Sequence, residues 1–597
     1  METNVYNPIP VEFYNEIFSN FKRDIKTLHS CLFVNRFFSR LAIPLLWSTP
    51  FEHIDLDNPK APLIISTYIS SLVDEDKSYL NVSGIPVGSP ATPFFPYPEY
   101  LTSFNSRAFQ ILVDKWLQLI DPLNYSTNYK YKLEYAKYII SNLLFGSTTM
   151  LKSLRYFRLN SNDEMVFIKH KEFAYSISNL VNFEIDYYYV EGSNSYNQKE
   201  EKKLHDLFDN LSYYTSSIRY ITINISTPYD VPFTKRVINS IVNFVTHQFS
   251  LKALSFNESL ISANLSEFEE IINSQATTLK YLKIGGKMKN LARILRVLRN
   301  CVNLELLEFI AEEVIIGDDM HVDAWNYIGD FGRRIDEEIA KGGDLSVIRE
   351  FEFNQLKIKS IYCIEDCVVI DNIVALGLEK TLMMTNINLR TLNLGKINSS
   401  IITSLGKYCY NLTHLSCELL LDDFYLFIKL LEVLRELKHL KMKLKLSSFI
   451  NDNYIVAFAN SLSNSLSKLG LDIYYERNNV FGLNIYNDHN ERNNEFISYF
   501  LRVLLENLEC NNLMELDFYN NQLIRDDNLK LVLQFALNRN EGSGDDGKFK
   551  LFRYFRKNFD VDFDQMLLQQ GKEIIQIEYG EISDFYRPFH EPLYYYE

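Results

Sequence analysis

The sequence predicts an α/β protein: an N-terminal helical module followed by an irregular solenoid in which strand and helix alternate. Three observations carry that expectation. Apolar residues recur at offsets 0, 3 and 5 of a short pattern between residues 151 and 580, which suits strands buried on one side. Between those segments apolar residues return every four positions, as at Val237, Ile241, Val245 and Phe249, the mark of a helix with one buried stripe. The first fifty residues are helical in pattern and lack the strand pattern. With 597 residues, 47% apolar and 14% aromatic, the chain can bury a large core, and disorder throughout is excluded.

In residues 1–50, "IPVEFYNEIFSNF" puts Pro10 at a helix start and repeats Phe13, Ile17 and Phe21 at i, i+4 and i+8. Lys22 to Lys26 form a polar turn. "LHSCLFVNRFFSRLAIPLLW", Leu28 to Trp47, spaces Leu28, Leu32, Val34, Phe37, Phe38 and Leu41 as one helix buried on two sides. Residues 51–150 read as a linker and helical cap. Their "GIPVGSPATPFFPYPEY" holds five of the sixteen prolines and reads as a stiff loop, and Tyr131, Tyr135, Ile139 and Leu143 then mark a helix.

From 151 to 580 the strand pattern dominates. "LRYFRLNSN" places Leu154, Phe157, Leu159 and Asn162 at offsets 0, 3, 5 and 8, and "LMELDFYNN" repeats this with Leu513, Leu516, Phe518 and Asn521. The same offsets start at Leu180, Ile218, Leu251, Leu279, Leu304, Ile348, Leu389, Leu412, Leu437 and Leu466. This is the Leu-x-x-Leu-x-Leu-x-x-Asn core of a leucine-rich repeat, and the expected form is a curved solenoid, or horseshoe. Unit starts lie 23 (Leu389 to Leu412) to 47 (Leu466 to Leu513) residues apart, so the array is irregular and carries insertions, expected near Glu191, from Gly317 to Asp344, from Glu476 and from Asn538. Residues 581–597 form an aromatic tail after a last strand-like stretch, Glu573 to Tyr579. It is expected to cap the final repeats, or to run along the concave face.

The N-terminal module resembles the F-box, a short helical module that docks on the Skp-type adaptor of cullin-RING ubiquitin ligases. The resemblance lies in Ile9 and Pro10, Glu12, the "EIF" of Glu16 to Phe18, and the run from Cys31 to Trp47, where Val34, Asn35, Arg36, Pro44, Leu46 and Trp47 match the form common in large fungal families. Ile9 replaces the usual Leu, and Phe38 stands where the family has Trp. With the repeats behind it, the chain resembles F-box proteins with leucine-rich repeats. The resemblance implies a non-catalytic substrate-recognition subunit of an SCF-type ligase. It would hold the adaptor, and through it a cullin, by Pro10, Phe13, Ile17, Leu32, Phe38 and Trp47, and an unidentified target protein by the repeats. The alternative is a leucine-rich scaffold with no ubiquitin link, its N-terminal helices only capping the first repeat.

Other functions find little support. The 61 Lys and Arg against 76 Asp and Glu give a net charge of -15, which argues against nucleic acid and anionic membranes as partners. No apolar run approaches the about 20 residues that cross a bilayer, and no signal peptide is legible, so the cytoplasm or nucleus is expected. Seven scattered cysteines suit reduced thiols; Cys363 and Cys367 lack a second pair at zinc-ligand spacing. No nucleophile elbow, phosphate loop or metalloprotease helix appears, so neither catalysis, metal nor cofactor is expected.

Strand alternation sends offsets 2, 4 and 6 to the open face. That selects Tyr156, Tyr220 and Tyr281 as aromatic anchors, Glu308, Glu350 and Glu352 as an acidic middle, and His439, Lys441 and Lys443 as a later basic unit. The expected target is a protein with a basic segment facing that acidic middle.

Overall fold

In a computed structural model, the structure describes residues 10–22, 24–52, 54–88, 93–121, 128–148, 151–158, 171–188, 198–226, 235–257, 265–285, 297–298, 300–310, 358–364, 382–383, 385, 388–446, 451–475, 488–508, 513–518, 535, 551–555 and 575–578. The chain forms two compact units, Met1–Thr278 and Leu279–Glu597.

The first unit opens with helices α1 (Val11–Ser19), α2 (Ile25–Cys31) and α3 (Arg36–Leu46). Pro10 stands immediately before α1, as its sequence position predicts. The stretch expected to be one helix is two. The Asn35 side chain accepts a hydrogen bond from the Phe38 N–H at 2.8 Å and starts α3 afresh, while Asp24 accepts from the Thr27 N–H at 3.0 Å and starts α2. A good cap thus overrides a continuous apolar period. The three helices close on Phe18, Leu28 and Ala42, with Phe38, Leu41 and Leu45 packed against them.

Helices α4 (Leu63–Ser70), α5 (Asp74–Val82), α6 (Ser106–Ile120) and α7 (Tyr129–Ser147) follow. Gly84, just after α5, has φ +75°, and a Cβ there would also press on the Lys132 side chain. Lys132 is held in place by a nearly buried ion pair with Asp121 at 2.7 Å.

Five parallel strands in sequence order make the first unit's sheet: β1 (Ser103–Asn105), β2 (Ser153–Arg158), β3 (Asn182–Tyr188), β4 (Tyr220–Ser226) and β5 (Ala253–Asn257). The sheet starts about fifty residues before residue 151, because Leu101, Phe104 and Ser106 form a repeat whose third anchor is polar and escapes an apolar pattern. Ser106 is nonetheless buried, and its hydroxyl accepts from the Phe157 N–H at 2.7 Å and faces the Phe157 carbonyl at 3.2 Å, extending the pairing of β1 with β2.

Helices α8 (Lys171–Ser176), α9 (Gln198–Tyr214), α10 (Lys235–Thr246) and α11 (Leu265–Ser274) alternate with the later strands. Two buried glutamines tie successive repeats. The Gln248 amide donates to the carbonyls of Phe244 (2.9 Å) and Thr215 (3.2 Å), and its oxygen accepts from the Ile218 N–H at 3.1 Å. Gln275 donates in the same way to the carbonyls of Gln248 (2.8 Å) and Val245 (3.1 Å). Each side chain satisfies backbone groups at helix ends that water cannot reach.

The second unit has ten parallel strands, again neighbours in sequence order: β6 (Tyr281–Gly285), β7 (Leu306–Ile310), β8 (Ser360–Ile364), β9 (Thr391–Ile397), β10 (His414–Leu420), β11 (His439–Leu446), β12 (Lys468–Tyr475), β13 (Glu515–Phe518), β14 (Leu551–Phe555) and β15 (Ile575–Glu578). Helices α12 (Ser399–Tyr408), α13 (Phe424–Val433), α14 (Asp452–Ser461) and α15 (Asp488–Asn507) lie between later strands. The anchors at offsets 0, 3 and 5 form the core: Leu412, Leu415 and Cys417, then Leu437, Leu440 and Met442, then Leu466, Leu469 and Leu471 are all buried. The unit expected at Ile348 lies outside the described residues. A further unit, outside the expected series, runs through Ile358, Ile361 and Cys363, where Ile361 pairs with Leu307 and Cys363 with Phe309. The strand-like stretch at Glu573 to Tyr579 is β15, and the tail 581–597 lies outside the described residues.

Candidate partner-binding surfaces

The residues selected from the sequence lie on the N-terminal helices and on the strand faces of the two units. On the N-terminal helices, Phe13 and Ile17 stand one turn apart on α1 and are 58% and 49% exposed. Pro10 is exposed beside them in sequence. Leu32 and Phe38 are half-buried against the module's core, and the Phe38 ring meets Phe18 at 5.3 Å and Tyr14 at 6.3 Å. Trp47 is placed differently: its ring packs on Tyr97 at 4.4 Å and Tyr68 at 5.3 Å, so it joins the module to the segment behind it. The turn between α2 and α3 exposes Phe33 and Val34, and Phe37 follows in the first turn of α3. These three extend the exposed apolar surface, and the sequence pattern does not select them, since it reads as one continuous helix.

On the strand face of the first unit, Tyr156 is not an anchor for a partner. Ser153 pairs with Asn182, which sets Leu151 opposite Leu180 and makes Leu154 the second anchor of its repeat, not the first. Tyr156 is therefore the third anchor and lies in the core, 2% exposed. "LKSLRYFRLN" satisfies the pattern from either leucine, and a three-residue slip exchanges inward and outward positions. Tyr220 does sit at an open-face position, half-buried between Asn182 and Ala253 of the neighbouring strands. Nearby on the same face, Arg155 is paired with Glu184, and Asp186 accepts from the Asn224 amide at 2.7 Å. Burial pushes the Glu184 and Asp186 carboxyls above their ordinary range.

In the second unit Tyr281 and Glu308 are on the open face but neither is available to a partner. The Tyr281 hydroxyl donates to the Glu308 carboxylate, Lys283 stands 3.7 Å from it, and Glu308 is 7% exposed. The expected acidic middle thus loses Glu308 to a neutralising contact from the adjacent strand, and Glu350 and Glu352 lie outside the described residues.

The later strands carry a band of opposed charges. Lys441 lies between Ser416 and Gly470 of the flanking strands, which leave its long side chain room, and it is 6% exposed. Glu418, Lys443 and Asp472 follow one another across β10, β11 and β12, with Lys443 3.3 Å from Glu418. Lys468 lies 3.0 Å from both Glu515 and the buried Asp517. Half-buried His439 meets His414 edge to face at 4.2 Å, and the Thr413 hydroxyl is 2.8 Å from the His414 Nδ1. Charges so arranged largely cancel within the face, so they order it and do not project one sign.

Among the described residues no group of three or more His, Cys, Asp or Glu could hold a metal ion, and no helix is long and apolar enough to cross a membrane. Burial pushes the Cys301 and Cys409 thiols up to about 12 and raises Cys417 further, so none of the three is a thiolate at neutral pH.

Parallel strands in sequence order, leucine anchors at fixed offsets and alternating helices define the leucine-rich-repeat class of fold. No protein family model matches the chain, and no curated protein matches it. Among solved structures it is similar to the leucine-rich repeat-containing protein LegL7 from Legionella pneumophila, at 14% identity over 59% of this chain and 90% of that one, with a TM-score of 0.27. A superposition that loose carries no weight, and the class rests on the register and anchors above.

Proposed function

We propose that this chain is the substrate-recognition subunit of an SCF-type cullin-RING ubiquitin ligase. The N-terminal helices bind a Skp-type adaptor and through it a cullin, and the repeats hold a target protein in the cytoplasm or nucleus. The observation that carries the reading is the apolar side chains exposed on a small helical module: Phe13 and Ile17 on α1, with Phe33, Val34 and Phe37 around the start of α3. A module that already has its own core needs no such side chains in water, and a helical partner would cover them. The sequence resemblance supplies the class of that partner. Catalysis belongs to other subunits in this reading, so the chain's part is to bind.

The test is capture of a purified Skp-type adaptor by the full chain, compared with Phe13→Asp plus Ile17→Asp. Both side chains are exposed, so the variant folds. Binding by the parent and its loss in the variant support the reading. An adaptor that ignores the parent chain leaves the other reading, a repeat scaffold without a ubiquitin link.

A further inference from the structure

The residue just after the first anchor of a repeat sits at the start of its strand, and over much of the array it is basic, with Thr102, Val181, Ser467 and Met514 in the same place elsewhere. In the second unit it is filled in successive strands by Lys280, Glu305, Lys359, Arg390, Thr413 and Lys438. In the first unit Lys152, Arg219 and Lys252 hold the same place. Among the described residues seven of the position's thirteen occupants are basic and one is acidic, in a chain with more carboxylates than cations.

We infer that the row from Lys280 to Lys438 is a binding edge for an acidic, extended segment of a partner protein. The row is rigid, because each of its residues donates its backbone N–H to the carbonyl of the one before: Glu305 to Lys280, Lys359 to Glu305, Arg390 to Lys359, Thr413 to Arg390 and Lys438 to Thr413, each at 2.8 Å. Strands stand about 4.8 Å apart, so the row spans roughly 24 Å, the length of about seven or eight residues of extended chain. Glu305 takes up part of the charge at one end, with Lys359 2.8 Å and Lys280 3.6 Å away. Beyond it the row has no acid: among the described residues neither Arg390 nor Lys438 has a carboxylate within ion-pair distance, and the Arg390 guanidinium donates to the Asn411 carbonyl at 3.0 Å. The next position along each strand adds Ser360, Thr391, His414 and His439, again without an acid. Like charges fixed on neighbouring strands repel, and carboxylates spaced along an extended chain relieve that repulsion.

The inference rests on the repeat array alone and does not need the adaptor reading. It is tested with a fluorescein-labelled (Asp-Glu)6 peptide, whose anisotropy is followed against full-length protein at low salt. The parent chain is expected to bind, with affinity falling as salt rises. Lys359→Glu plus Arg390→Glu, and separately Lys359→Gln plus Arg390→Gln, are expected to weaken binding by about tenfold or more, while Lys407→Glu plus Lys429→Glu on the helices leaves it unchanged. Equal binding of a (Ser-Gly)6 peptide, or unaltered binding by the Glu variants, overturns the inference. Tighter binding of polyuridylate with the same sensitivity also overturns it, in favour of a nucleic-acid edge. Adaptor capture by the Glu variants, measured in parallel, keeps the two readings separate.

Discussion

Replacing Gln248 with methionine keeps the length of the side chain and removes its amide. Four bonds are lost, the longest at 3.5 Å to the Thr215 hydroxyl, and the buried Ile218 N–H and the Thr215 and Phe244 carbonyls lose a partner at a site where Gln248 itself is 1% exposed. An unsatisfied buried group costs about 1–3 kcal/mol. The Ile218 amide is the most informative, since its N–H bonds to the Gln248 side chain and it lies at the start of the β4 repeat. If opening there is governed by that bond, its hydrogen-exchange protection should fall by roughly five- to 150-fold, the factor that corresponds to such a cost. Exchange read by mass spectrometry on peptides covering residues 211–226 resolves this without assuming that so long a chain unfolds in one step. Gln275→Met should loosen the next junction, at the Gln248 and Val245 carbonyls, and leave Ile218 protected. Unchanged protection at Ile218 in Gln248→Met would show that backbone packing alone holds the repeats and that the buried glutamines do not tie them.

On the N-terminal helices, Phe13→Asp plus Ile17→Asp should cost adaptor binding several kcal/mol while leaving the circular dichroism of the chain intact, because a charge would be buried only in the complex. Lys468→Met should destabilise the second unit by roughly 3 kcal/mol by removing the cation 3.0 Å from the buried Asp517, and Asp517→Leu in the same chain should recover much of it; a thermal-melt cycle showing plain additivity would rule out the coupling. Cys301 and Cys409 should resist iodoacetamide at pH 8 until the chain is unfolded. Burial raises their folded pKa to about 12, so the unfolded chain loses these protons first. Their contribution to stability is complete below the ordinary thiol range and is lost as pH rises from there toward 12, which urea midpoints at pH 7.5 and 10 in the parent and the alanine variants would reveal.

The leucine anchors made most of the repeat array legible, because parallel strands bury offsets 0, 3 and 5 wherever those positions are apolar. Leu180, Leu251, Leu279, Leu389, Leu412, Leu437 and Leu466 all occupy the places their spacing predicts. Patterning failed where its alphabet was too narrow or its match ambiguous: Ser106 serves as an anchor through hydrogen bonds, and the first full repeat fits from Leu151 as well as from Leu154. It failed again at Asn35, where one side-chain bond divides an apolar run into two helices and turns Phe33 and Val34 outward. The surface was least legible. Strand alternation assigns Glu308 and Lys441 to the open face, yet whether a charge there meets a partner is set by groups on another strand, such as Tyr281 and Lys283 beside Glu308. Burial follows from local periodicity, which the sequence contains. Cancellation of charge follows from which strand lies alongside, and only the tertiary structure decides that.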